Sequence, residues 1–102
     1  MITYTLGGKE VNEAKIDERL SGVSYLKDYR LEQLNKNSYR IMILPEKNCD
    51  LRGLKGSILD ALVDVYGIKG NFEIDIITED DELMPSVYNI NEKVKNRSEN
   101  FW

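Results

Sequence analysis

Histidine is absent from this chain, and Cys49 is the single cysteine among its 102 residues. The commonest metal ligand and the commonest general base of proteins are therefore both missing. A Ser-His or Cys-His nucleophile pair cannot form within the chain, and one cysteine allows neither an internal disulfide nor a cysteine-based zinc site. The composition thus argues against nucleophilic catalysis of these kinds and against a Cys/His metal centre.

Long apolar runs and an excess of basic residues are also missing. No apolar run approaches the ~20 residues of a membrane-spanning helix, and the start of the chain, MITYTLGG, lacks the basic-then-apolar pattern of a signal peptide. The net charge is −4 and the pI about 4.8, whereas nucleic-acid binding usually needs a basic face. The sequence predicts a cytoplasmic chain with neither a nucleic acid nor a membrane as partner.

What the chain does contain is the mixture of a globular domain, with 41% hydrophobic and 31% charged residues. Its length fits one domain with a modest core. Residues 2–6 alternate between apolar and polar side chains, which predicts a short strand, and Gly7 and Gly8 follow as a turn. Lys9 to Val11 can return as a second short strand.

A helix is predicted from about residue 12 to residue 21. Asn12 is a suitable N-cap, and apolar residues then recur on one face at spacings of four and three, namely Ile16, Leu20 and Val23. Gly22 stands where a glycine commonly ends a helix in a left-handed conformation.

The second half of the chain repeats this alternation of strand and helix patterns. Two alternating runs flank the turn NKNS (35–38) and predict a β-hairpin that Pro45 ends. Asn48 or Asp50 can cap a second helix that stops at Gly67. Its apolar stripe comprises Leu51, Leu54, Ile58, Leu62 and Val65. Residues 71–78 alternate again and predict a last strand.

The order of these elements, β-α-β-β-α-β, predicts an α+β fold in which two helices pack on a mostly antiparallel sheet. We expect residues 1–86 to form this domain. The remaining residues, 87–102, are polar without a clear period and are predicted to be a loosely held tail.

Acidic residues near the last strand are the obvious place to look for a metal site. They are Glu73, Asp75, Glu79, Asp80, Asp81 and Glu82. The spacing of an EF-hand loop, with its central glycine and final glutamate, is absent. The favoured interpretation is a solvated strand face and loop, and no metal site is predicted.

The stretch GGKEVNEAKIDERL (7–20) passes from a glycine pair almost directly into a helix. Gly8 permits close approach of the backbone, and the N–H groups of a helix start carry partial positive charge. Such a stretch can cradle an anionic ligand or can simply reverse the chain. Local chemistry favours the structural turn.

The ordered set of motifs resembles the small C-terminal domain of adenylate-forming enzymes, with the phenylacetate–CoA ligase branch and its capsule-biosynthesis relatives the most similar in character. That domain begins with a Gly-x-x-Val loop, here Gly8 and Val11. A helix with Ile-Asp follows, and a later helix ends in Tyr-Gly. These are matched by Ile16, Asp17, Tyr66 and Gly67, with Leu20, Gly22 and Val23 at the end of the first helix. The loop DELMPS (81–86) matches the family's Asp-x-Leu/Ile-Pro, so the resemblance covers about residues 6–86.

The resemblance implies a mobile lid rather than an independent enzyme. A large N-terminal adenylating domain would bind ATP or AMP and the carboxylic acid, while this chain alone would bind no cofactor and would be inactive. The small domain swings between an adenylating and a thioester-forming pose. In the second pose Gly8, Lys9, Glu10 and Val11 would line the channel for the pantetheine of CoA or of a carrier protein.

Two family features are not matched. The hinge run Gly-Arg-x-x-Asp, normally just before the glycine loop, is absent, so we expect an excised domain or a stand-alone relic. Pro85 is followed by SVYNINEKVKN, which contains no Gly-Lys, and this leaves Lys93 and Lys95 as candidates for the lysine that approaches the acyl-adenylate. Two other functions suit the same element order: a small ferredoxin-like regulatory or ligand-binding module, and a protein-interaction domain.

Overall fold

The computed structural model describes residues 2–77 and the backbone of residues 94–96. Its elements in chain order are β1 (Thr3–Tyr4), β2 (Glu10–Val11), α1 (Glu13–Ser21), β3 (Leu26–Asn35), β4 (Ser38–Pro45), α2 (Leu51–Tyr66), β5 (Asn71–Ile76) and β6 (Val94–Asn96). Two helices and strands in two sheets give the predicted α+β fold. The DELMPS loop (81–86) lies outside the described residues.

The strands form a small sheet and a larger one. β1 and β2 pair antiparallel as a two-stranded sheet, and the larger sheet has the order β5-β4-β3-β6. β3 and β4 form its antiparallel centre, while β5 runs parallel to β4 and β6 runs parallel to β3. Parallel neighbours need a crossover connection, which α2 supplies between β4 and β5. The predicted hairpin is therefore the middle of the sheet.

Helix α1 begins where the sequence predicts and ends differently. The side-chain oxygen of Asn12 accepts a hydrogen bond from the Lys15 amide at 2.9 Å, which caps the first turn. The prediction that Gly22 adopts a left-handed conformation is wrong, because its φ is −81°. The chain instead leaves the helix through a right-handed turn in which Val23 N–H donates to Leu20 O. The left-handed residue comes later, at Tyr25, with a φ of 68°.

Helix α2 is capped by Asp50, whose carboxylate accepts from the Arg52 amide at 3.2 Å. Leu51, predicted to belong to the buried stripe, is 44% exposed. The buried face comprises Leu54, Ile58, Ala61, Leu62 and Tyr66. Gly67 ends the helix with a φ of 121°, a conformation that side-chain-bearing residues rarely adopt.

One hydrophobic core joins the helices to the sheet. Alternate residues of β3 and β4 present one face to it, including Tyr29, Leu31, Tyr39, Ile41 and Ile43. Ile16 and Leu20 of α1 and the buried face of α2 pack on that face, as layer packing requires. Val11 of β2 belongs to the same core, so the small β1–β2 sheet is part of the folded unit.

Candidate functional site

The glycine pair of the Gly-x-x-Val stretch forms the turn of the β1–β2 hairpin. Gly8 N–H donates to Thr5 O at 2.9 Å, and Thr5 N–H donates to Lys9 O at 2.8 Å. Gly8 has a φ of 85°. These bonds and the positive φ define a three-residue hairpin loop, residues 6–8, that ends in a glycine bulge. Glycine is favoured at position 8 because of this positive φ.

Two backbone amides of this turn donate hydrogen bonds within the hairpin. Besides Gly8, Lys9 donates its N–H to the hydroxyl oxygen of Thr5 at 3.1 Å. At the start of α1, Asn12 occupies the Lys15 amide. An anion bound to the Gly8, Lys9 or Lys15 amide would have to displace an existing hydrogen bond. The geometry therefore favours the structural turn over the phosphate cradle.

The predicted loop residues divide between the surface and the core. Gly7, Gly8, Lys9 and Glu10 are exposed and form what we call the hairpin tip, residues 7–10. Val11 is 1% exposed and packs in the core. Gly8, Lys9 and Glu10 are thus exposed to solvent, whereas Val11 fixes the hairpin to the domain.

The base of the hairpin is held by side chains from three other elements. Thr3 Oγ1 lies 2.7 Å from the hydroxyl oxygen of Tyr66 in α2, and Tyr39 of β4 donates its hydroxyl proton to Tyr4 O at 2.6 Å. Gln33 of β3 bonds both backbone groups of Tyr4: its Oε1 accepts from Tyr4 N–H at 2.8 Å and its Nε2 donates to Tyr4 O at 3.2 Å. Because these groups are buried or half-buried, the bonds are shielded from competing water.

The hairpin is also hydrogen-bonded to the end of α2 by the residue just before the tip. Leu6 N–H donates to Tyr66 O at 3.1 Å. A Cβ placed on Gly67 would lie 2.9 Å from Leu6 Cδ1, so the glycine lets the helix end approach the hairpin closely. The next residue, Ile68, is 81% exposed. An exposed apolar side chain therefore follows directly on the segment that supports the tip.

Of the two candidate lysines, only Lys95 lies among the described residues. Lys93 lies outside the described residues. Lys95 belongs to β6, where it stands opposite Glu32 in the parallel register with β3. β6 also approaches β1. The backbone of Lys95 therefore lies in a strand that pairs with β3 and approaches β1.

Opposite charges face each other on strands β4 and β5. Arg40 Nε lies 2.8 Å from a carboxylate oxygen of Asp75 and 4.0 Å from one of Glu73. The hydrogen bond to Asp75 raises the pKa of the Arg40 guanidinium further. Glu73 and Asp75 are thus partners of an arginine on a strand face, and within residues 2–77 no cluster of acidic, cysteine or histidine side chains suits a metal ion.

A second feature is the groove between α1 and the start of β3. It encloses about 600 Å³ and is lined by residues that include Asp17, Glu18, Leu20, Leu26 and Asp28. Tyr29 donates its hydroxyl proton to Asp17 at its floor. Burial and this bond raise the pKa of Tyr29. The arrangement holds α1 against the sheet.

The remaining buried tyrosines are protonated core residues. Burial raises the pKa of Tyr39 to about 12 and also raises that of Tyr66. Their rings stack on each other with centroids 4.1 Å apart, and Tyr39 stacks on Phe72 at 5.3 Å. Packing and hydrogen bonding account for these aromatics. Tyr25 differs, because it is 59% exposed.

Gln33 and Thr3 are the residues that sequence reasoning overlooked. Both are fully buried polar side chains, and buried polar groups in proteins are nearly always hydrogen-bonded. A signal was present for Gln33, because it alternates with Tyr29 and Leu31 on the predicted core face of β3. A glutamine at a core position indicates a specific polar partner.

Comparison with models of known protein families, with curated proteins and with solved structures gives no match for this chain. Within the part of the chain that the structure describes, no helix is long and apolar enough to cross a membrane. These comparisons assign the chain to no family.

Proposed function

We propose that this chain is the mobile C-terminal domain of a cytoplasmic, AMP-forming acid–thiol ligase of the phenylacetate–CoA ligase type. The observation that supports the proposal best is the β1–β2 hairpin, in which an exposed tip stands on a base held by buried side chains. A loop that enters another domain's active site benefits from a rigid base of this kind. Ordering a loose loop at each docking event would cost conformational entropy.

In this proposal the chain supplies no reacting group for the thiol step. The large N-terminal domain binds ATP or AMP and the acid. Gly8, Lys9 and Glu10 face the pantetheine arm of CoA or of a carrier protein, and Val11 secures them to the core. Gly8 lets the backbone approach the arm closely, because a Cβ at this position would be the first atom in its way.

The lysine of the adenylating pose is assigned to the β6 region, with Lys95 and Lys93 as the candidates. Because β6 lies beside β3 and approaches β1, the thiol loop and the lysine region belong to one folded unit. Rotation of that unit as a whole would present one or the other to the same active site.

The test is to read the complete reading frame that contains this chain and to assay its product. We expect a large nucleotide-binding domain before residue 1. With ATP, CoA and a panel of carboxylic acids, the full protein should form acyl-CoA, whereas a version truncated before the hairpin should lose thioester formation and, because Lys93 and Lys95 are removed with it, most of its acid-dependent ATP–pyrophosphate exchange. A reading frame without any nucleotide-binding domain contradicts the proposal.

A protein-interaction module is the second candidate, favoured by the exposure of Ile68 beside the hairpin. A partner that covered Ile68 would remove its apolar side chain from water, which is favourable. The ferredoxin-like alternative receives less support, because β1 pairs with β2 and, among the described strands, has no place in the four-stranded sheet. Sedimentation of the chain over a range of concentrations, with Ile68→Ser as control, tests self-association through this surface.

A further inference from the structure

We infer that Gln33 is a positioning residue for the hairpin tip. Its side-chain amide forms hydrogen bonds with both the N–H and the C=O of Tyr4. These are the two backbone groups that a neighbouring β-strand would otherwise pair with. The contribution of Gln33 to the thiol step rests on the proposed function, whereas its control of the hairpin rests on geometry alone.

The two bonds are complementary and fix the orientation of the amide. Tyr4 N–H can only donate, so the group 2.8 Å away must be Oε1. Tyr4 O can only accept, so the group 3.2 Å away must be Nε2. Gln33 is 0% exposed, so water does not compete for these bonds. A buried, doubly bonded amide holds its partner in one position and one orientation.

Tyr39 reinforces the same point from the neighbouring strand. It stands opposite Gln33 in the β3–β4 register, and its hydroxyl donates to Tyr4 O at 2.6 Å. The carbonyl of Tyr4 therefore receives two donors from adjacent strands of the central hairpin. We call Gln33 and Tyr39 the Tyr4 clamp. Since the tip begins three residues beyond Tyr4, the clamp sets where the tip stands.

Gln33 also meets the other candidate functional element. Its backbone stands opposite Asn96 in the parallel register of β3 and β6, one residue from Lys95. A single residue of β3 thus contacts β1 through its side chain and aligns β6 through its backbone. Loosening the clamp should disturb the hairpin first, because the β6 pairing does not use the amide side chain.

The physical test uses hydrogen exchange in the 102-residue chain. Gln33→Met keeps a side chain of similar size and removes both bonds. Ile58→Val, in α2 and outside the clamp, is the control that lowers global stability without touching the hairpin. We expect the Tyr4 amide to exchange about tenfold faster in Gln33→Met than in the control at matched stability. Equal exchange in the two variants overturns the inference.

If Gln33→Met does not fold, a second variant, Gln33→Glu, tests the same two hydrogen bonds. In Gln33→Glu, a protonated carboxyl can accept from Tyr4 N–H and donate to Tyr4 O, whereas a carboxylate faces the Tyr4 carbonyl unfavourably. Burial raises the pKa of this new carboxyl above its ordinary value of about 4.3. Tyr39 stays protonated throughout, since its own pKa is about 12. Protection of the Tyr4 amide should therefore be near that of the parent chain at about pH 5.5 and be lost at about pH 8. Protection that does not change with pH overturns the inference.

The functional arm uses the full ligase and separates the two proposals. Gln33→Met should slow thioester formation by about tenfold or more and leave acid-dependent ATP–pyrophosphate exchange within twofold. Unchanged thioester formation in a variant whose Tyr4 amide exchanges faster overturns the role in the thiol step. A parent protein that forms neither adenylate nor thioester removes the proposed function, and the clamp is then decided by the exchange result.

Discussion

Thr3 Oγ1 and the hydroxyl oxygen of Tyr66 lie 2.7 Å apart, although 63 positions separate the two residues. The contact joins the first strand to the last residue of helix α2, and both side chains are buried. Together with the hydrogen bond from Leu6 N–H to Tyr66 O, it links the hairpin that carries the glycine tip to the helix that covers the sheet.

A double-mutant cycle measures this link. Tyr66→Phe should lower the free energy of unfolding by about 1 kcal/mol, because it removes a buried hydrogen bond. The Thr3 hydroxyl then keeps its longer hydrogen bond to Val11 O, at 3.4 Å. Thr3→Val should have an effect of similar size. If the two hydroxyl groups are hydrogen-bonded to each other, the double variant loses less unfolding free energy than the two single variants together. We expect a difference of about 0.5–1 kcal/mol in urea unfolding. Additive effects would show that the contact does not couple the two elements.

Glycine should be required at the hairpin tip and dispensable in the helix. Gly8→Ala places a Cβ at a φ of 85°, and we expect it to destabilise the chain by about 1–2 kcal/mol. Gly56→Ala is the matched change, because Gly56 lies in α2 with open space around its Cα. It should stabilise the chain by up to about 1 kcal/mol. Thermal unfolding shows whether each variant is more or less stable than the parent chain. A Gly8→Ala variant with unchanged stability would contradict the turn geometry.

The buried tyrosines predict a loss of stability in alkali. An unfolded tyrosine has a pKa near 10, whereas burial raises the pKa of Tyr39 to about 12 and those of Tyr29 and Tyr66 as well. Above pH 10 the unfolded chain releases protons that the folded chain retains, so the unfolding free energy falls as pH rises. Each such tyrosine contributes up to about 1.4 kcal/mol per pH unit.

The measurement is the urea midpoint between about pH 9 and pH 12, with tyrosinate absorbance recorded in parallel. The contribution is complete below pH 10 and declines through the window up to the folded pKa. Tyr39→Phe should flatten the decline, because it removes one of the groups responsible. A stability that stays constant across this window would contradict the burial of these hydroxyls.

Much of the fold was predictable because its local signals agree with its packing. Asn12 and Asp50 are capping residues followed by apolar residues at helical spacing, and both helices begin after them. The α+β class follows from the same patterns. The left-handed residue after α1 was not predictable, because Tyr25 has no intrinsic preference for that conformation. There the tertiary structure, in which Glu46 N–H donates to Tyr25 O, decides the backbone.

The arrangement of strands and the candidate site were predictable to different degrees. Hydrophobic alternation identifies strands but does not say which of them are neighbours, so the parallel pairings of β5 and β6 come from the structure. The exposed glycine tip was predictable from GGKE, since the turn residues have a defined conformational role. The Tyr4 clamp was not, because a side chain that bonds a distant backbone leaves no periodic pattern in the sequence.

We propose that the hairpin tip faces the thiol in the active site of a ligase, and Gly7→Trp in the full ligase is the decisive variant. A Cβ at Gly7 meets no atom closer than 3.9 Å, so the bulky side chain adds volume at the tip without disturbing the turn. Gly56→Trp adds the same volume on the exposed surface of α2. We expect Gly7→Trp to reduce thioester formation by about tenfold or more and to leave ATP–pyrophosphate exchange unchanged, whereas Gly56→Trp should affect neither. Full thioester formation by Gly7→Trp would contradict the proposal.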